Sequence, residues 1–460
     1  MRNKNYQYDN KQNRVKRSAS MSRNSTPINL LSAGVMLALS STAAAGMSNA
    51  PSTYGMFPSD VASAQAFSMF SDKANAVFYN PAALAQDTRG QLTGAILHGE
   101  PDIGYKDATG PGPRSKRINN EPSQQLILGL KADASDLLTT GHPIYLALML
   151  GSEEYGREML AFESQTSRDG QYLTYGRNPL FLNVGAATPI WRGIDFGASI
   201  NITLENSADL DTQLELSGET RYENLDVSAE TSYRPIVGLS MNWGETFCPD
   251  NACWLNNLDT AVAFRGYSKT TTSIAATPNV PGLINALPIR VADVIEGYQP
   301  DIYSVGIRYD FGRTRLALTG EYQVWSDLSE EFAGDTVKDQ GNLQFQDTFV
   351  PRVGLEFDFT PSFMFTTGVA WEESPLEDQT SQDVNYLDAD KLVIGAGLSA
   401  TFQNPPLLAW PLTVDLAYQY QKLDERRFDI VTTQSGDPVP DSVVTEGDVN
   451  VFSGSVTLKF

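Results

Sequence analysis

From about residue 89 onward, apolar and polar residues alternate in segments of roughly ten, the two-residue period of a β-strand. The clearest segment begins at Ile194, with Phe196, Ala198, Ile200, Ile202 and Leu204 on the same face. Asp195, Gly197, Ser199, Asn201, Thr203 and Glu205 take the other face. In the same way Tyr303, Val305, Ile307, Tyr309 and Phe311 oppose Ser304, Gly306, Arg308 and Asp310. Leu412, Val414, Leu416, Tyr418 and Tyr420 oppose Thr413, Asp415, Ala417 and Gln419. Fourteen segments are predicted: near 89–99, 123–134, 142–155, 179–189, 192–206, 231–243, 258–270, 301–311, 313–325, 348–359, 362–373, 390–402, 411–425 and 448–460.

The connections between them sort by length. They are long after odd-numbered segments and mostly short after even-numbered ones, as at 311–313 and 360–362. A soluble sandwich must bury its apolar faces in a core and has no reason to sort its loops. A barrel in the outer membrane turns those faces to lipid, with short turns on the periplasmic side and long loops outside. The expected fold is therefore all-β, a 14-stranded antiparallel transmembrane β-barrel over 89–460. Its last segment places Phe452, Val456, Leu458 and Phe460 on one face and ends in an aromatic residue. That ending looks like the C-terminal signal that the barrel assembly machinery recognises.

Composition agrees once the barrel is allowed for. An apolar content of 41% is too low for a bundle of membrane helices, but a barrel needs only its lipid-facing half to be apolar. After residue 45 there is no apolar run long enough for a transmembrane helix. Before it, Arg14, Lys16, Arg17 and Arg23 precede an apolar run from Ile28 to Leu39, and Ala43, Ala44 and Ala45 follow. That order predicts a secretory signal peptide over 1–45. Those residues carry seven Lys/Arg and one Asp, so their removal takes the net charge from −22 to −28. An acidic exported chain excludes nucleic acid as a partner. It suits loops that meet lipopolysaccharide and outer-membrane lipid, with divalent cations between them. Cys248 and Cys253, in FCPDNAC, are expected to form a disulfide, the default in an oxidising compartment. His98 and His142 are the only histidines, and no ligand cluster or serine motif accompanies them, so no metal site, cofactor or hydrolase is expected.

Residues 46–88 do not alternate. They mix small residues with Met56, Phe57, Phe67, Met69, Phe70, Phe78 and Tyr79, and Asn80-Pro81 marks a break. A disordered tail is poor in aromatic residues, so this segment is expected to pack, as a plug in the lumen. Its DKANAVFYNPAALA, over 72–85, resembles the NPA motif of the FadL family of outer-membrane long-chain fatty acid and hydrophobic compound transporters. The likeness continues in order through YQVWS at 322–326, FVPRVGLEF at 349–357, GVAWEESP at 368–375, LDADK at 387–391 and DLAYQY at 415–420.

The resemblance implies a monomeric barrel plugged by a hatch over 46–88, in which Asn80, Pro81 and Ala82 fix the turn that seats it. It further implies a transporter, not an enzyme, that captures hydrophobic molecules outside and holds them in an interior pocket. Release is then sideways into the membrane. Long-chain fatty acids are the expected cargo. Alkanes or aromatic hydrocarbons by the same route are the alternative, and a general diffusion porin stands behind both. The longest loop, about 271–300, is the candidate for capture. Leu283, Ile284, Leu287, Val291 and Val294 have helix-like spacing there, and Pro288 is expected to split the run into two short helices. Phe67, Phe70 and Phe78 are candidates to line the pocket. Arg308 and Arg352, on the polar strand faces, are candidates to receive a carboxylate through a bidentate pair.

Overall fold

A computed structural model describes residues 50–107, 122–137, 142–154, 180–214, 220–248, 253–279, 289–333, 344–377, 388–406, 408–434 and 437–460. The strands are β1 (Gln91–Asp107), β2 (Ser123–Asp133), β3 (Tyr145–Glu154), β4 (Leu180–Trp191), β5 (Ile194–Leu214), β6 (Thr220–Asn242), β7 (Leu258–Arg265) and β8 (Ser268–Asn279). They continue as β9 (Ile289–Gln299), β10 (Asp301–Asp310), β11 (Thr314–Val324), β12 (Thr348–Thr360), β13 (Phe363–Glu372), β14 (Lys391–Phe402), β15 (Leu412–Gln434) and β16 (Asp437–Lys459).

All of these strands except β8 and β9 form the wall, in the spatial order β4-β3-β2-β1-β16-β15-β14-β13-β12-β11-β10-β7-β6-β5. An antiparallel ladder between β4 and β5 closes the ring, giving a 14-stranded barrel. Each wall strand lies on one of the fourteen segments expected from alternation. The faces are inverted relative to a soluble protein. On β2, Leu126, Leu128 and Leu130 are exposed, whereas Ser123, Gln125, Ile127 and Lys131 are buried. That is the pattern of a lipid-facing exterior around a largely polar interior. Tight turns need positive φ at Gly193 (68°) and Gly312 (93°), a region that glycine enters without steric cost. Where the two chain ends of the wall meet, Gly90 and Phe460 exchange N–H···O bonds of 2.9 Å in both directions. A Cβ on Gly90 would lie 2.3 Å from the Phe460 ring, so the ring fills the space that glycine leaves.

The expectation of two short helices after β7 is overturned in the second half of that loop. Residues Ile289–Gln299 form β9, antiparallel to β8. Val291 and Val294 stand on this strand, while Leu283, Ile284 and Leu287 lie outside the described residues. The physical reason is that β8 and β9 prolong the β7/β10 pair, and a run rich in Val and Ile accepts the pleat readily. The hairpin then leaves the wall, and β8 runs parallel to β5 over Ala208–Gln213. Two other pairs also outgrow the membrane. β5 and β6 stay paired to Leu214 and Thr220, and β15 and β16 to Gln434 and Asp437, the latter across a bulge between Leu423 and Arg426. Strands of 23 residues are about twice the length of the roughly 9–11 that span a bilayer.

Candidate functional site

Residues 50–88 fill the lumen. Short helical turns at Pro58–Ala62, Ser68–Phe70, Ala76–Tyr79 and Pro81–Gln86 and the chain leading into the first of them bury Met56, Phe57, Val61, Met69, Phe70, Val77, Phe78 and Leu84. The segment is tied into a knot by the Asp60 carboxylate. It accepts from the N–H groups of Met56 (3.3 Å) and Phe57 (2.9 Å), from Ser68 Oγ (2.7 Å) and from Asn75 Nδ2 (2.8 Å). Burial pushes this carboxyl up from its ordinary range, against the pull of those donors.

Inward-facing glycines let the hatch approach the wall. Asn80 accepts from the Ala82 N–H (3.3 Å) and donates to Met69 O and to Ser240 Oγ of β6, both at 2.9 Å. A Cβ on Gly238 would lie 2.0 Å from Asn80 Oδ1, and one on Gly197 would lie 2.3 Å from the backbone of Pro81 and Ala82. The NPA turn therefore sits on two strands that must be bare at these points. Gly197→Ala is expected to lower stability by about 1–3 kcal/mol, the usual cost of overpacking. A lowered midpoint of heat-modifiable gel migration would register it, and an unchanged midpoint would place the turn elsewhere.

Charge completes the mooring. Lys73 Nζ lies 2.9 Å from Asp415 of β15, whose carboxylate also accepts from Ser399 and Ser455. Lys459 reaches both Asp72 (3.5 Å) and Asp87 (3.3 Å), and Lys131 donates to the Asp72 carbonyl (2.8 Å).

The hatch aromatics pack into the wall. Phe67 lies over Gly354 and Phe70 over Gly306, and both join Met69 against Ala261, Ala263 and Ala317. Phe78 packs edge-on to Tyr79, with ring centroids 5.0 Å apart. A cavity of about 650 Å³ opens near the short-turn end, lined by Gln86, Trp191, Asp195, Asn242, Asp259 and Arg308 among others. A smaller one of about 70 Å³ lies towards the long-loop end, beside Gln299, Ile302, Trp325, Val350, Glu372 and Lys391. Phe67, Phe70 and Phe78 line neither of these two cavities.

Both candidate arginines are already engaged. Arg308 donates to Asp259 from Nε (3.0 Å) and Nη2 (2.8 Å), and its guanidinium lies 5.0 Å from the Phe70 ring centroid. Arg352 is 3% exposed and holds two carboxylates, Glu321 at 3.2 Å and Glu372 at 3.1 Å, as well as the Ala64 carbonyl of the hatch at 3.3 Å. Glu321 in turn meets Arg265 at 2.5 Å, and Lys391 lies 3.3 Å from Glu372. The Arg265 guanidinium is stacked 5.4 and 5.6 Å from the rings of Phe78 and Tyr79. Arg234 is also fully buried, and donates to Gln299 and to the carbonyls of Gly266 and Pro300. Arg265 and Arg234 escape notice in the sequence because each falls near the end of its wall ladder, where alternation fades. Cys248 and Cys253 are joined by a disulfide in the turn between β6 and β7.

These features can be set beside known proteins. The family model for "Outer membrane protein transport protein (OMPP1/FadL/TodX)" matches residues 295–460. Alkane uptake protein A of Marinobacter nauticus is 44% identical over 440 residues, covering 94% of this chain and 96% of that protein. Among solved structures, a Pseudomonas aeruginosa FadL homologue superposes with a TM-score of 0.57 at 17% identity, covering 91% of this chain and 98% of its own. The P. putida toluene transporter TodX gives 0.54 at 12% identity, covering 89% and 99%. At these identities the two structures speak for the fold alone. With a full-length relative at such identity and a plugged 14-stranded barrel, the chain belongs to the FadL/TodX family of outer-membrane transport proteins and resides in the outer membrane of a Gram-negative bacterium.

Proposed function

We propose that the protein takes up neutral hydrocarbons, alkanes in the first place, across the outer membrane. The observation that carries this is the pairing of Arg308 and Arg352 with carboxylates of the protein itself. A fatty acid headgroup seated on Arg352 would have to displace a buried partner, at a cost of roughly 3–5 kcal/mol. An alkane meets no such competition, and gains about 0.8 kcal/mol for each methylene removed from water. The 44% identity to a protein named for alkane uptake supports the same choice. Long-chain fatty acids remain the second candidate because of Arg234, whose hydrogen bonds go to an amide and two carbonyls and to no carboxylate.

Uptake of labelled hexadecane, oleate and toluene by cells with and without the gene separates the candidates. Loss of hexadecane uptake without the gene, restored by complementation while oleate uptake is unchanged, is the expected result. A gene-dependent oleate signal alone would reassign the cargo to fatty acids. No dependence for any of the three would end the transporter proposal.

A further inference from the structure

The apolar band that faces lipid on β5 and β6 does not stop at the membrane. The two strands pair without a register shift from Ile194–Met241 to Gln213–Tyr222, so alternation stays in phase along the whole ladder. Phe196 and Ile200 of β5, and Val237 and Tyr233 of β6, are exposed on its outer face. Tyr233, opposite Ile202, marks the outer interface, where the aromatic girdle of a barrel lies. Beyond it the same face continues through Leu204, Ala208 and Leu210 of β5 and Leu225, Val227 and Ala229 of β6. Asn206 interrupts this run, and Thr212 and Glu223 end it. From Ile202 to the end of β5 at Leu214 the ladder rises about 30 Å at the wall's tilt of about 40°.

The ladder widens at this height. β8 runs parallel to β5 and sets Ile274 and Ala276 beside Ala208 and Leu210, and β9 sets Ile289 beside Ala276. A four-stranded sheet, β6-β5-β8-β9, thus stands beyond the bilayer with an apolar outer face. Its other face is acidic. Register places Glu205 directly opposite Glu230 and Asp209 directly opposite Asp226, and Asp211 follows on β5. Like charges across an antiparallel pair repel unless water and salt screen them, so this face has to stay wet. The apolar face carries no such requirement, and a contiguous apolar surface in water marks an interaction site.

What it meets follows from the physical state of the cargo. Sixteen alkane carbons favour oil over water by roughly nine orders of magnitude. Hexadecane therefore reaches a cell as droplets and hardly at all as dissolved molecules. A droplet is far too large for the barrel mouth, and contact with it has to be made at the height to which the sheet projects. We propose that the outer face of the β6-β5-β8-β9 sheet is a docking surface for liquid hydrocarbon, holding the cell against a droplet so that cargo is drawn from the oil phase. Continuity with the lipid-facing band carries this choice of occupant, since one row of residues meets acyl chains below Tyr233 and alkane above it. The acidic face gives the sheet the two-sidedness of a surfactant, which keeps it at the oil–water boundary. The proposal rests on the hydrocarbon reading above, and its test keeps the two apart.

Leu210→Thr/Leu225→Thr/Val227→Thr makes the outer face polar while keeping residues that suit a strand. The control, Asp209→Asn/Asp226→Asn, alters the same two strands on the opposite face. Each protein in lipid nanodiscs is mixed with a hexadecane emulsion, and the amount that floats with the droplets is measured against empty discs. The unsubstituted protein and the control are expected to float, and the triple variant to fall to the level of empty discs. In cells the triple variant should lose uptake from the emulsion and keep uptake of hexadecane supplied in cyclodextrin. Undiminished flotation of the triple variant overturns the proposal, as does equal loss in the control or equal loss of uptake from both sources. A dimer of the unsubstituted protein that the triple variant fails to form also overturns it, because a second copy would then cover the face. Heat-modifiable migration checks folding; should the triple variant fail there, Ile274→Thr/Ile289→Thr alters the same face from β8 and β9. Flotation without gene-dependent uptake from either source would sustain the docking surface and end the transport reading.

Discussion

Deletion of residues 50–88 is expected to convert the protein from a closed barrel into a steadily conducting pore. Fourteen strands about 4.8 Å apart and tilted by about 40° enclose a ring roughly 28 Å across at the backbone. In the intact chain that space is taken by the hatch, which occupies the room left by Gly197, Gly238, Gly306 and Gly354 on four different strands. The wall does not need the hatch to close, because its ladders and the Gly90–Phe460 join involve no residue before Gly90. Removal leaves Asp415 and Ser240 facing water instead of Lys73 and Asn80, a change that polar groups in a wet lumen tolerate. The check is single-channel recording in planar bilayers. The intact protein should show little steady current and the deletion large ohmic steps. A deletion variant that stays closed would mean that the loops, and not the hatch, seal the barrel.

The wall of this protein was open to inspection in its sequence because the bilayer enforces a simple rule. Each strand crossing it must alternate, so Phe196 and Ile200, Tyr303 and Ile307, or Leu416 and Tyr418 are assigned to the outer face by the sequence alone. Above the membrane the rule lapses. Nothing forbids a strand there from mixing both faces, so the outward growth of β5, β6, β15 and β16 looked like loop. The same lapse let the Val- and Ile-rich stretch after Pro288 pass for a helix. For the interior, alternation tells which residues point inward but not which of them meet. Arg308 and Arg352 were visible as inward cations. Their partners lie on other strands, Asp259 on β7, Glu321 on β11 and Glu372 on β13, and those meetings depend on shear and register that only the closed barrel fixes. The mooring of the hatch was hidden for a similar reason, since Lys73 and Asp415 are 342 residues apart.

Glu321→Ala is expected to be the most damaging single substitution in the wall, costing roughly 3–5 kcal/mol, because it breaks a buried pair from the side that leaves cations behind. Glu321 is the only carboxylate that Arg265 meets among the ion pairs of the described residues, and it shares its second oxygen with Arg352. Arg265 is 1% exposed, and two of its nitrogens, Nε and Nη1, already lack a hydrogen-bond acceptor. The guanidinium lies near the rings of Phe78 and Tyr79, which soften the charge without neutralising it. Once Glu321 is gone, Glu372, which Lys391 also claims, is the one carboxylate still ion-paired with Arg234, Arg265 or Arg352 among the described residues. Arg352 keeps that partner; Arg265 keeps none. The double substitution Arg265→Met/Glu321→Met should therefore be less harmful than Glu321→Ala, since it removes the stranded charge together with its counter-charge and fills the space with apolar side chains. Urea unfolding in lipid vesicles of Arg265→Met, Glu321→Met and the double gives the coupling between the sites, expected to be favourable by well over about 1 kcal/mol. If the losses simply add, Arg265 and Glu321 act independently, and the charges behind the hatch are water-screened instead of forming one buried network.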